Sequence, residues 1–547
     1  MGQIIQICKT SLGVALMALP IGAQAKTESF ADQYVAARVA EIGEQDRLAV
    51  QGYLKLQARI PESDILADRL FDASIRAGDM PAAVRAARAR SLAKQGTAET
   101  ALLLFADAWR QRNHDMADLA ADELASRGSL AFMSPVLKQW VLIRRGDAPE
   151  FAEVDPAVNG VLAYYSTDQR IYFDLATGRL AKAKLGLRSI ASQSGDYVRN
   201  VLLAGAETLS GPKGDPVFAQ ALMRAAAGSS AMTPSAPKTG TALSPDIGLA
   251  AFYARISAAL VEQNQPEEGL VLARIATWLA PDRAEMKLAL THALHANGLL
   301  SEALQLLATV PVESPLYFSA FEKRVDYLIG AGQVENALSL TKSEMDRNPK
   351  SVATQLLRAR ALQAHGSTAE VVSIYRSMTQ SDDFAALPPR QQASYRLLLA
   401  SALDQANDWP AAKVELEKLL IADPNNAQGL NYLGYALLER GGDKAKAFTL
   451  VKRAYEINPD SSAIIDSLGW AYYLQGNTAL ALPLLEKAAK AAGPDIAINE
   501  HLGDVYWAVG RRRDARYAWR IASYGTEGET AERLSRKIDI GLNGRKP

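Results

Sequence analysis

Apolar positions in the second half of this chain recur with a period longer than any single helix or strand produces. Leu399, Leu433, Leu468 and Leu502 stand 34, 35 and 34 residues apart, each followed by a small residue: Ala400, Gly434, Gly469 and Gly503. A second small residue returns at Ala412, Ala447, Ala481 and Ala515, and the extra residue of the second unit falls in the Gly441-Gly442-Asp443 turn. Between the two small positions lie turn signals, Asn407-Asp408, Gly476-Asn477 and Gly510-Arg511, while Asp423-Pro424, Asn458-Pro459 and Gly493-Pro494 close the segments that follow. Each unit therefore reads helix, turn, helix, turn, with a small residue on each helix where two backbones must approach closely to pack antiparallel. The pattern predicts an all-α helical-repeat solenoid.

Weaker copies extend the register backward: Gly332, Ala337 and Pro349; Leu290, Leu294, Gly298 and Ala303; then Gly269, Ala276 and Pro281. The array is expected to run continuously over about 250–525, with a divergent unit at 357–375. Farther upstream, Leu70, Gly78 and Ala83, then Ile171, Gly178 and Ala183, keep the order and approximate spacing. The Ala-rich stretches 80–95 and 115–126 have helical periodicity without strand alternation, so the N-terminal half reads as degenerate helix pairs. Residues 228–245 are rich in Ser, Thr, Pro and Gly and predict a flexible loop or linker between two helical lobes. The expected organisation is a processing signal at 1–25, a degenerate lobe at 26–227, the linker at 228–245, a tandem array at 246–529, and a capping helix and tail at 530–547. In that cap Ala531, Leu534 and Ile538 share one face, and Glu532, Arg533, Arg536 and Lys537 lie elsewhere, as the end of a stack requires.

Composition narrows the function classes. With 60 Lys+Arg against 60 Asp+Glu, no global charge steers the chain toward nucleic acid. At the start, Lys9 precedes a mostly apolar stretch at 11–21, and Ala23-Gln24-Ala25 supplies a small-x-small cleavage pattern. The apolar stretch is shorter than the roughly 20 residues that span a bilayer, so it reads as a cleaved secretion signal with Lys26 as the new N-terminus. Cys8 is the only cysteine and lies before the apolar stretch, which leaves a mature chain with no thiol for a disulfide, a nucleophile or a metal.

Leu468-Gly469, Tyr472, Gly476, Ala481, Leu485, Ala488 and their equivalents resemble the tetratricopeptide repeat, a fold of antiparallel helix pairs wound into a right-handed superhelix. The resemblance implies a concave wall formed by the second, fifth, ninth and twelfth residues of each unit's first helix. Those positions carry Gln428, Asn431, Tyr435 and Leu438, then Ala463, Asp466, Trp470 and Tyr473, then Ala497, Glu500, Asp504 and Trp507. Asn431, Tyr435, Asp466, Trp470, Tyr473, Glu500, Asp504 and Trp507 form the expected partner-binding groove, suited to an extended ligand offering basic and apolar groups. Trp470, Tyr473 and Trp507 either line this wall or pack between adjacent units, although Leu468, Tyr472, Leu485, Leu502 and Tyr506 already fill the packing positions. A carboxylate clamp of the kind some relatives use needs Lys, Arg and Asn on the wall, and only Asn431 qualifies.

Other candidates give less. His292 and His295 lie one turn apart but lack a third ligand, so they read as solvated or groove-lining rather than metal-binding. His114, His365 and His501 stand alone. Arg511-Arg512-Arg513, with Arg516 and Arg520, reads as a solvated face pairing with Asp504 and Asp514 or, less favoured, as a surface for an anionic partner or peripheral membrane contact. No nucleophile elbow, phosphate loop or metalloprotease motif occurs, and no enzyme activity, cofactor or metal is expected.

Over 426–523, the block around Tyr432, Asp466 and Glu500 is similar to repeats of Gram-negative envelope proteins, among them adaptors that present a processing protease to its cell-wall substrates. The reading at this stage is a non-catalytic periplasmic scaffold whose groove binds protein partners, with an envelope protease or the secretion or polysaccharide machinery as candidates. A glycan-binding module in polysaccharide export or cell-wall maintenance, with Tyr435, Trp470, Tyr473 and Trp507 stacking on sugars, is the alternative.

Overall fold

The computed structural model describes residues 29–149, 156–211, 213–227 and 242–542. The proposed signal at 1–25 and most of the 228–245 stretch lie outside these residues. Apart from one short 3-10 turn, every regular element among them is an α-helix.

The local chemistry that stops one helix and starts the next is repeated along the chain. Gly332, Gly476 and Gly510 take the left-handed turn conformation, and Asn407 takes it in their place in its own unit, with φ of 61°. The residue at the head of the next helix then caps it: Asp408 accepts from the Ala411 amide, and Asn477 from that of Leu480. Asn426, Asp443 and Asp495 do the same for the helices Ala427–Glu439, Lys444–Ile457 and Ile496–Ala508.

Where paired helices cross, the small residues prove to be steric requirements. Ala412, Ala447, Ala481 and Ala515 are fully buried. A Cβ added at Gly434 would lie 2.6 Å from the Val451 side chain, at Gly469 2.8 Å from Leu485, and at Gly503 2.4 Å from the Trp519 ring. The four signature leucines are likewise buried.

The described residues form two compact units that divide between Tyr327 and Leu328. The expected lobe boundary at 228–245 differs, and the reason is packing. Helices Pro245–Glu262 and Pro266–Leu279 lay their apolar faces against Asp64–Ala77, Ala98–Arg110 and Met133–Arg145, the first or inner members of earlier pairs. Asp246 accepts from the Trp109 indole at 2.7 Å and pairs with Arg144 at 2.6 Å, and the Tyr253 hydroxyl donates to the Leu102 carbonyl. Buried Arg274 donates to the carbonyls of Ile75 and Arg76 while pairing with Glu302. Chain that follows the composition break thus completes the core of the chain before it.

In the second unit, Val334–Arg347, Val352–His365 and Thr368–Gln380 lead into a plain succession of pairs: Pro389–Gln405 with Trp409–Ala422, Ala427–Glu439 with Lys444–Ile457, Ser462–Leu474 with Thr478–Ala492, and Ile496–Ala508 with Arg512–Ser523. The helix Gly528–Ile540 closes the stack, with Leu534 buried against Ala515, Trp519 and Ala522 as the capping pattern predicts.

Candidate functional site

In the helix Ser462–Leu474, Asp466, Trp470 and Tyr473 follow one another at four and three residues and share a face. Glu500, Asp504 and Trp507 repeat that spacing on Ile496–Ala508, and Asn431 and Tyr435 begin it on Ala427–Glu439. The structure brings these faces together in order, but most of the expected wall is not open.

Asp466 is buried, and both its carboxylate oxygens lie 3.0–3.1 Å from Nδ1 of His501 on the next helix. Trp470 covers that imidazole, with ring centres 4.1 Å apart and planes within 15°, and Tyr435 flanks it at 6.0 Å. Burial alone would discourage the imidazolium. The Asp466 carboxylate, with Asp504 and Glu439 behind it, outweighs burial and holds His501 above the usual histidine range. Tyr473, expected on the wall, is buried in the core formed by Ala481, Leu485 and Leu502, stacked on Trp470 at 5.0 Å. Its phenol is pushed up to about 12 by burial and by Asp504.

The last repeat's wall is occupied by the chain itself. Glu500 accepts two bonds from Arg533, at 3.0 and 2.8 Å, and one from Lys537 at 2.7 Å. Lys537 also spans to both oxygens of Asp504 at 2.8 Å, and the Trp519 indole donates to Asp504 at 2.9 Å. Burial would raise the Glu500 carboxyl, but the two cations bring it below its ordinary range. Asp504 remains raised because burial outweighs Lys537 and Trp519. Trp507 packs on Trp519 at 5.6 Å under the guanidinium groups of Arg512 and Arg516, and a Cβ at Gly541 would meet its ring at 2.0 Å. The expectation that Glu500, Asp504 and Trp507 line an open groove is therefore corrected: Arg533 and Lys537 of the cap, one turn apart, cover Glu500 and Asp504, while Trp507 is packed among Trp519, Arg512, Arg516 and Gly541.

The open remainder is compact. Tyr435 and Trp470 are half-buried, the exposed Glu439 accepts from the Trp470 indole at 2.7 Å, and Asn431 is half-buried. The Asn431 Oδ1 is shielded and has no hydrogen-bond partner among the described residues. Such a surface sets an unpaired acceptor beside an aromatic face and a carboxylate, groups that can hold a ligand.

The remaining candidates resolve simply. Arg511 pairs with Glu486 and Asp514 and lies over the Tyr506 ring, in keeping with a paired helix face. Asp504, the other partner expected for that run, is taken by Lys537 instead. The His295 ring stacks on Tyr327 at 4.0 Å, and burial with Lys323 holds His292 below its ordinary value. Among the described residues no cluster of three His, Cys, Asp or Glu is placed to hold a metal ion. The sequence reading missed His501, Glu439 and the two cap cations. His501 follows Asp466 by 35 residues, one repeat plus one, so the register alone could have joined them.

Residues 397–462 match a family model described as tetratricopeptide repeat. A TPR repeat-containing protein of Pseudomonas aeruginosa is 32% identical over 185 residues, which is 33% of this chain. The chain spans 30% of the length of that curated relative. Among solved structures, the APC/C hetero-tetramer Cut9-Hcn1 is 13% identical with a TM-score of 0.36, covering 93% of this chain and 96% of its own. Yeast Tom70 is likewise 13% identical with a TM-score of 0.36, over 93% of this chain and 99% of its own.

Proposed function

We propose that this chain, a tetratricopeptide-repeat protein and through those repeats a protein-interaction scaffold, works in the periplasm as a non-catalytic adaptor. Its partner docks on the wall formed by Asn431, Tyr435, Glu439 and Trp470. One observation carries the reading: the shielded Asn431 oxygen has no partner among the described residues, beside two half-buried aromatics and an exposed carboxylate. Shielded polar atoms are normally paired, so this one is suited to a donor brought by a ligand.

The cap supports the same chemistry. Glu500 and Asp504, which stand two repeats after Asn431 and Tyr435, hold Arg533 and Lys537 from a helix, so a helical segment with two basic residues one turn apart is the favoured partner for the open wall. The charge and apolar pattern of residues 1–25 motivates the periplasmic setting, and the likeness over 426–523 motivates an envelope protease or the secretion machinery as partner.

The test is capture from a Gram-negative envelope extract by wild-type protein and by the Asn431→Ala, Tyr435→Ala double variant. A protein recovered by the first and lost from the second, at unchanged melting temperature, is the expected result. Equal recovery by both removes the wall from the account. Loss of bound polysaccharide with no captured protein would replace the adaptor with a glycan-binding module.

A further inference from the structure

A second site lies far along the sequence from that wall, in the N-terminal unit. Helices Asp46–Arg59 and Met80–Leu92 are the second members of successive pairs, and a crevice of about 820 Å³ runs between them. Val50, Tyr53 and Leu56 form the buried stripe of the first helix, and Gln57 continues that stripe where an apolar residue would serve packing. Gln57 is only 6% exposed, lines the crevice, and neither its Nε2 nor its Oε1 has a hydrogen-bond partner among the described residues.

A primary amide presents a donor and an acceptor side by side, the complement of the C=O and N–H of an extended peptide. Three rotatable bonds let the Gln57 side chain turn that amide toward a peptide entering the crevice. Apolar contact comes from Leu54 and from Leu92, which is 86% exposed. Two cations line the same crevice. Arg88 pairs with Asp107 at 2.6 Å, whereas Arg85 makes no ion pair or hydrogen bond among the described residues. Glu62 also lines it and repels negative charge, which leaves Arg85 as the place for an incoming carboxylate.

We propose that this crevice binds an extended apolar peptide, pairing its backbone amide with Gln57 and a carboxylate with Arg85. A free C-terminus and an acidic side chain offer the same carboxylate chemistry. The site is independent of the wall at Tyr435 and Trp470, and neither proposal rests on the other.

Fluorescence anisotropy on the full chain tests it with a labelled octapeptide of alternating leucine and alanine in three forms: free acid, amide, and amide with one glutamate near its end. One or both carboxylate forms are expected to bind saturably, about tenfold or more tighter than the neutral amide. Binding by the free acid alone assigns a C-terminus, and binding by the glutamate form alone assigns an acidic side chain. Gln57→Leu is expected to weaken binding about tenfold while its melting temperature holds or rises, because leucine suits a stripe in which the amide has no internal partner. Arg85→Glu, an exposed change that leaves the fold alone, is expected to abolish the preference for carboxylate. The proposal is overturned if no form binds, if all three bind equally, if Arg85→Glu keeps the preference, or if Gln57→Leu lowers the melting temperature by several degrees.

Discussion

At the residue scale, the most consequential pair is Asp466 and His501, each buried and each facing the other from adjacent repeats. Because the folded chain holds the His501 proton more firmly than an ordinary histidine does, the pair's contribution is complete below the ordinary value of 6.5 and is lost as pH rises through the raised folded value. Thermal stability of the second unit is therefore expected to decline from about pH 6 upward. Asp466→Asn removes the carboxylate, lowers the His501 titration midpoint followed by NMR, and flattens that pH dependence. Breaking one side of such a buried pair costs about 3–5 kcal/mol. An unchanged His501 midpoint in the variant would mean that some other group holds the proton. The signature around these residues was legible because close backbone approach permits only Gly or Ala at Gly469, Gly503 and Ala481. The ion pair was legible only through the repeat register, which sets His501 one repeat plus one residue after Asp466; a histidine taken alone shows nothing of what the neighbouring repeat places opposite it.

At the element scale, the terminal helix shows how far a periodic pattern reaches. Ala531, Leu534 and Ile538 were enough to predict a cap, because an exposed last apolar face must be covered. The wall-facing role of Arg533 and Lys537 escaped the same pattern: polar residues off the apolar stripe read as solvated until the neighbouring helix is placed. The two cations differ in weight. Lys537 is 16% exposed and bridges two carboxylates, whereas Arg533 is 51% exposed and contacts one. Lys537→Met should therefore leave Glu500 and Asp504 buried against each other and cost about 3–5 kcal/mol, with Arg533→Met costing less than half of that. Denaturant melts of the two variants decide it, and equal losses would show that Lys537 has no bridging role. Since the cap covers the wall at Trp507, variants of Trp507 report on cap packing, and Tyr435 is the better probe of partner binding.

At the scale of the whole molecule, the two units should differ in how they come apart. In the second, each pair rests chiefly on its neighbours, so damage at one end is expected to stay local, as in a linear repeat array. The first unit is tied by contacts between residues far apart in sequence, Asp246 to Trp109 and Arg144, and Arg274 to Ile75 and Arg76. These ties run across the composition break at 228–245, so the compact unit extends past it. A Ser-, Thr- and Pro-rich stretch marks where helix stops, but core continuity depends on which faces meet afterward, and no local window of sequence carries that. Arg274→Met would strip two carbonyls and Glu302 of a buried charged donor, a loss of about 3 kcal/mol. Hydrogen exchange read by mass spectrometry should then accelerate together across Asp64–Ala77, Ala98–Arg110 and Pro266–Leu279, because the tie closes all three into one cooperative body. Leu534→Ala, a cavity change of about 2–5 kcal/mol, should raise exchange mainly in Arg512–Ser523 and Gly528–Ile540. If Arg274→Met instead loosens only its own helix, the first unit is an array like the second and its long-range contacts add no cooperativity.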